Sequence, residues 1–208
     1  MAGLDQARLT HLFVVPFLSH LWDDRSELNA RMREMILRRE QEHPGQRKTN
    51  VGGWQSTEDL HRWAGESGQE LVAMITDMVN AATSQLFAHF RTQDEFSWNM
   101  AIWANVNRNG EYNLVHIHPG ATWSGVYYVD AGDSGSGEAE NGAITFFNPL
   151  LASAHGFFTK ALPNQFTLKP EAGRMVLFPS YLQHQVHPYF GQAPRISIAF
   201  NVKKNPFP

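Results

Sequence analysis

The stretch from Trp98 to His118, WNMAIWANVNRNGEYNLVHIH, decides how this sequence is read. Trp98–Asn107 and Tyr112–His118 are rich in aromatic and β-branched residues. Asn109-Gly110 stands between them, the dipeptide that suits a tight hairpin turn. The texture continues to the end of the chain. Trp123–Asp130, Ala143–Asn148, Gln165–Lys169, Arg174–Phe178, Gln183–His187 and Arg195–Val202 are further short runs cut by turn residues, with Asp133-Ser134-Gly135-Ser136-Gly137 as a flexible turn. Eight such strands without alternating helices predict a mainly β fold, a sandwich or jelly roll and not a parallel α/β sheet.

Upstream of Trp98 the pattern changes. Residues 1–96 hold 14 acidic and 10 basic residues, 24 of 96, whereas residues 97–208 hold 6 and 7, 13 of 112. The first half reads as helical and solvent-facing. Leu28, Met32, Met35 and Ile36 recur at helical spacing after Asp23-Asp24, until His43-Pro44-Gly45 stops the pattern. Ser56-Thr57-Glu58-Asp59 offers an N-cap, and Leu71, Ile75, Met78, Ala82, Leu86 and Phe90 form one stripe of a long helix. Residues 1–96 are therefore expected to be a helical support packed on a β core of residues 97–208, the whole forming one domain. Asn50-Val51-Gly52-Gly53-Trp54 reads as a shaped loop, since it lacks the Lys-Ser/Thr ending of a phosphate-binding loop.

Composition excludes several functions. The net charge of 17 − 20 = −3 and the lack of a basic stripe argue against nucleic acid. Without cysteine there are no disulfides, thiolate metal clusters or cysteine nucleophiles. The run Leu12 to Leu18, broken by Pro16, is too short for a membrane span and lacks a cleavage signal. A soluble, cytoplasmic protein is expected, with room for a homodimer.

Chemistry concentrates in the β half. His116 and His118, at i and i+2, project to one face if both lie on a strand, and two converging imidazoles begin a site for a divalent transition metal. His184 supplies a third ligand from a distant strand, with His187 as its rival for that place. His155 reads as a loop residue.

These residues resemble the Fe(II)/2-oxoglutarate-dependent dioxygenases of the prolyl-4-hydroxylase-like branch, whose core is a double-stranded β-helix, a cupin-like jelly roll. The likeness rests on His116-Ile117-His118, Trp123-Ser124-Gly125-Val126-Tyr127-Tyr128-Val129, Gly173-Arg174-Met175-Val176-Leu177-Phe178-Pro179, His184-Gln185-Val186-His187-Pro188 and Arg195-Ile196-Ser197-Ile198-Ala199-Phe200. A subgroup of unassigned substrate similarly carries a Gly-Trp loop like Gly53-Trp54. The resemblance implies Fe(II) held by His116, His118 and His184 as the catalytic centre, with His118 where the family has aspartate. It implies 2-oxoglutarate as co-substrate, its distal carboxylate on Arg195 with help from Ser197 and Tyr128, while Tyr127 points to the other sheet face. It favours His184 over His187, which becomes an entrance or supporting residue. Oxidation of a small molecule or a protein side chain would follow, with 2-oxoglutarate and O2 converted to succinate and CO2. Trp103, Trp123 and Phe146 are expected to line or support the pocket.

Three imidazole ligands also predict metal release as pH falls toward the ordinary histidine value of about 6.5. Two other readings stay open. One is a cupin-type three-histidine metal dioxygenase without 2-oxoglutarate, although no glutamate follows His118 at the usual interval. The other is a non-catalytic metal-binding jelly roll.

Overall fold

Alternation along four central strands places the site. In the computed structural model, which describes residues 13–86, 97–133, 140–150 and 163–205, β4 (Trp98–Asn107), β6 (Trp123–Asp130), β9 (Arg174–Pro179) and β11 (Arg195–Lys204) are buried on both faces. One face carries Ile102, Ala104, Val106, Tyr127, Val129, Met175, Leu177 and the even-numbered residues Ile196 to Val202, all in one apolar core. The opposite face carries Val126, Tyr128, Val176 and Phe178, which belong to a second core. A strand buried on both sides reads as a continuous apolar run, which is why these four were conspicuous in the sequence.

The first core is completed by helices. α1 (Ser26–Glu42) contributes Leu28, Met32 and Ile36, and α3 (Gly65–Leu86) contributes Leu71, Met74, Ile75, Met78 and Val79. α1 ends at Glu42, and His43, the residue before Pro44, is already extended, as expected where a proline follows. The short α2 (Leu60–Trp63) joins them, with Asp59 at its N-cap. The expected Ser56 cap is not formed. Its hydroxyl donates to the Thr57 carbonyl at 2.7 Å and accepts the Ala104 amide at 3.0 Å, so strand β4 has claimed it.

All eight expected strands are present, the other four being β5 (Glu111–His116), β7 (Ile144–Phe147), β8 (Gln165–Leu168) and β10 (His184–Tyr189). The helical reading of the first half needs correction, because β1 (Leu18–Leu21), β2 (Asn50–Val51) and β3 (Trp54–Gln55) also lie there. The six-stranded sheet runs β1-β9-β6-β11-β4-β3 and the five-stranded sheet β2-β5-β10-β7-β8, with antiparallel pairing throughout. Two sheets face to face make the jelly roll.

The Asn109-Gly110 turn is tight but is not a hairpin, since β4 and β5 belong to different sheets. Gly110 takes a positive φ of 82°, and its amide donates to the Tyr189 carbonyl of β10. The turn chemistry was read correctly; strand pairing was decided by which sheet covers each face. Gly52-Gly53 acts alike, passing the chain from β2 in one sheet to β3 in the other at φ values of 71° and 33°. The Asn50 side chain ties that corner to the Gly53 carbonyl at 2.7 Å. Ser134–Gly137 of the expected turn, Phe90 of the helical stripe and His155 lie outside the described residues.

Gly125 sits where β6 passes Phe200. A Cβ there would overlap the Phe200 ring and the Val176 carbonyl. Gly125→Ala is expected to destabilise the fold by about 1–3 kcal/mol through overpacking, measured as a lowered denaturation midpoint at constant slope; an unchanged midpoint would refute the tight crossing.

Candidate active site

His116 is the last residue of β5 and His184 the first of β10, and the two are paired across the ladder. Directly opposed side chains approach closely, and their ring centroids lie 4.3 Å apart. His118 lies two residues beyond the end of β5, contrary to the expectation that it is on the strand. The chain there is held by the His118 amide, which donates to the Ser180 carbonyl at 2.9 Å. The His118 ring still reaches the others, at 4.9 Å from His116 and 5.2 Å from His184. One nitrogen from each of the three lies within 4.8 Å of the others. One cation can therefore meet all three after small side-chain adjustments.

Two of the rings are pre-set. His116 Nδ1 faces the Leu114 carbonyl at 2.6 Å and His184 Nδ1 faces the Leu182 carbonyl at 2.8 Å. A carbonyl oxygen only accepts, so each Nδ1 carries the proton and each Nε2 keeps its lone pair for a metal. Burial, chiefly, holds all three imidazoles below their usual pKa, with His118 at about 4 and His184 at about 3; repulsion from neighbouring rings adds to the shift in those two. The rings are therefore neutral at pH 7, the form that binds metal.

His187 is not in the cluster. Its Nε2 is 2.7 Å from the Thr145 hydroxyl, which also contacts Thr167. Thr145 alternates with the cavity-lining Ile144, so His187 faces away from the site and is no entrance residue.

Next to the triad is a cavity of about 400 Å³ lined by Tyr128, Ser197 and Arg195. The β half contains three arginines, and two are occupied. Arg108 clamps Glu40 at 2.6 and 2.8 Å, and Arg174 binds Glu171. Arg195 is 1% exposed with no carboxylate partner among the described residues. Its Nη1 donates only to Asn107 at 3.3 Å and Ser197 at 3.4 Å, and its Nε has no partner. The Tyr128 ring lies 5.3 Å from the guanidinium, and its buried hydroxyl is likewise unpartnered. Burial lowers the Arg195 pKa and raises that of Tyr128. A cation so placed needs an anion. A dicarboxylate whose far carboxyl group meets Arg195 and Tyr128 would satisfy both orphaned groups, so the residues present fit 2-oxoglutarate.

Strand parity explains the grouping. Arg195 and Ser197 line the cavity together with Asn105, the cross-strand partner of Ser197, while Asn107, the partner of Arg195, accepts from the guanidinium behind it. Asn107 was missed by sequence reasoning, yet period-two alternation along β4 was the available signal. Tyr127, as expected, points the other way, its hydroxyl donating to Asn29 of α1 at 2.7 Å. Trp103 lines the cavity, and Phe146 supports it by packing on Phe178 and His184. Trp123 does neither; it packs in the helix-side core and donates to Thr83 at 3.1 Å.

Residues 101–201 match the family described as "Putative 2OG-Fe(II) oxygenase". No curated protein matches the chain in sequence. Among solved structures, a Pseudomonas putida prolyl-4-hydroxylase is similar, with 18% identity over 93% of this chain and 95% of that one, at a TM-score of 0.66. A Trichoplax adhaerens prolyl hydroxylase, solved with a hypoxia-inducible-factor peptide fragment, has 15% identity over 90% and 83%, at 0.58. HygX from Streptomyces hygroscopicus, solved with nickel and 2-oxoglutarate, has 13% identity over 93% and 84%, also at 0.58. At these identities the structural likeness is one of fold. Residues 101–201 thus match that oxygenase family in sequence, and the fold around them is one that the solved 2-oxoglutarate oxygenases share.

Proposed function

We propose that the protein oxidises a small molecule or a protein side chain through one site, with Fe(II) on His116, His118 and His184 and 2-oxoglutarate on Arg195, Ser197 and Tyr128. The observation that carries this reading is Arg195, buried without a counter-ion among the described residues in the cavity that the three imidazoles line. Bound iron would supply oxygen activation coupled to oxidative decarboxylation of 2-oxoglutarate to succinate and CO2. The chain's own part is placement. Arg195 offers a planar fork of donors for a carboxylate, Tyr128 adds a hydroxyl donor, and Asn107 and Ser197 hold the fork in position. His116 and His184 keep their lone pairs turned inward through their backbone acceptors. Val126, Phe178 and Ile144 give the cavity an apolar wall that limits water. Its lining extends to Lys48, Thr49, Glu58 and Asn113, where we place the approach of the primary substrate.

The cupin-type reading without 2-oxoglutarate leaves the Arg195 fork without a task. No helix among the described residues is long and apolar enough to cross a membrane. A cytoplasmic setting is part of the proposal, since a reducing compartment preserves Fe(II).

The test is uncoupled turnover. Iron-loaded protein with ascorbate is expected to convert 2-oxoglutarate to succinate slowly without a primary substrate, and His184→Ala to abolish it. Oxygen consumption with an added thiol but no succinate would favour the cupin-type chemistry, and no turnover with metal bound would favour a binding protein.

A further inference from the structure

His118 differs from the other two rings in the partner at its Nδ1. In place of a carbonyl it meets the side-chain amide of Asn201, with Asn201 Nδ2 at 3.4 Å. Asn201 Oδ1 in turn accepts from the Ser124 hydroxyl at 2.7 Å. Ser124 and Asn201 are cross-strand partners on β6 and β11, and Ser124 is 1% exposed. The contact is thus built into the sheet that also carries Arg195.

The chemistry of this chain of contacts is distinctive. As arranged, the amide N–H points at His118 Nδ1, so Nδ1 accepts and the neutral ring carries its proton on Nε2. A ring in that form has no lone pair at Nε2, the nitrogen left over when Nδ1 is engaged by Asn201. If the Asn201 amide turns over and the ring proton moves from Nε2 to Nδ1, Oδ1 accepts a hydrogen bond from Nδ1–H, Nε2 gains its lone pair, and Nδ2 donates to the Ser124 hydroxyl. A serine hydroxyl serves either arrangement, because it can donate or accept. His116 and His184 have no such choice.

We propose that Asn201, backed by Ser124, is a positioning residue that selects the tautomer of His118, and that its amide turns over when metal binds. This rests on the reading of the three histidines as one metal site. His118 is thereby the adjustable ligand: metal-free, its proton lies on Nε2; metal-bound, on Nδ1.

Zinc, which is diamagnetic and redox-inert, serves as the probe. Ring nitrogen-15 shifts of His118 in the full chain are expected to report the Nε2–H form without metal and the Nδ1–H form with zinc. Asn201→Asp, whose carboxylate can only accept, should show the Nδ1–H form even without metal and bind zinc at least as tightly as wild type. Asn201→Leu should lose about tenfold or more in zinc affinity, the usual effect of deleting a ligand's outer hydrogen-bond partner. A merely structural role would weaken both variants alike and leave the nitrogen shifts unchanged, so rescue by aspartate is the discriminating result. An Nδ1–H form in the metal-free wild type, or an Asn201→Leu variant with wild-type affinity, would overturn the inference while sparing the site. Unaltered zinc affinity in His116→Ala would overturn the three-histidine site, and this inference with it.

Discussion

Arg195→Leu is expected to lower 2-oxoglutarate affinity by roughly 30-fold to several thousand-fold, from about 2–5 kcal/mol for losing one partner of a buried charge pair. The same change should leave metal affinity within about twofold, since Arg195 makes no contact with the three imidazoles. It should also spare the metal-free fold. Arg195 is buried with no anion beside it among the described residues, so desolvation of the guanidinium opposes folding, and an apolar side chain of smaller volume relieves that penalty. The expected melting temperature is therefore equal to or above that of wild type. Arg195→Lys keeps the charge but not the planar fork and should recover only part of the affinity. Calorimetric titration of 2-oxoglutarate into manganese-loaded protein gives the answer. Unchanged affinity in Arg195→Leu would mean that the guanidinium serves something other than the co-substrate.

Acid is expected to act on this protein in two separable ways. Metal release near pH 6.5, the expectation for ordinary histidines, is displaced downward by the site. With His118 near 4 and His184 near 3, protons do not compete for the ligand nitrogens until the pH is well below 6.5. Zinc occupancy should stay flat from pH 8 to about 5 and fall steeply toward 4, if the fold persists. The metal-free fold responds to acid in the same direction but in a higher window. Its histidines bind protons less readily than the same residues unfolded, whose pKa is about 6.5. Between about 4 and 6.5 the unfolded chain holds more protons, so stability is complete above 6.5 and declines as pH falls through that window. For His118 alone the shift amounts to on the order of 3 kcal/mol, less whatever the neighbouring rings share. Denaturation of the metal-free protein at pH 4.5, 5.5 and 7 should show a progressive loss, and His118→Asp should remove part of it. A flat stability profile together with zinc release centred at 6.5 would show that the imidazoles are not desolvated as described.

The parts legible in the sequence are those governed by local rules. Strands buried on both faces, such as Trp123–Asp130, announce themselves as apolar runs, and turn residues mark their ends. His116, His184 and Arg195 stood out because a metal and a dicarboxylate would need such side chains, and the fold brings all three to one cavity. What escaped depends on distant partners. β1 is four residues containing Ser19 and His20, and it is a strand because β9 offers it a free edge. β2 and β3 are two residues each, too short for any periodicity. Ser56 looked like a helix cap and became a strand anchor. Asn107 and Asn201 are unremarkable on strands until register shows that one faces Arg195 and the other His118.

The place of β11 in the six-stranded sheet bears on how the chain is made. β11 is the last described strand in chain order, yet it lies in the interior of its sheet, between β6 and β4. During synthesis, β4 and β6 emerge first and must wait with facing edges bare, since neither can pair with the other once the final sheet is formed. Arg195, Ser197 and Asn201 arrive on the strand that fills the gap. Contacts this remote in sequence make folding slow and expose unpaired edges meanwhile. A ribosome-bound chain halted before residue 195 would hold all three histidines and the five strands of the sheet that carries His116 and His184, but would lack Arg195 and the strand that closes the sheet opposite.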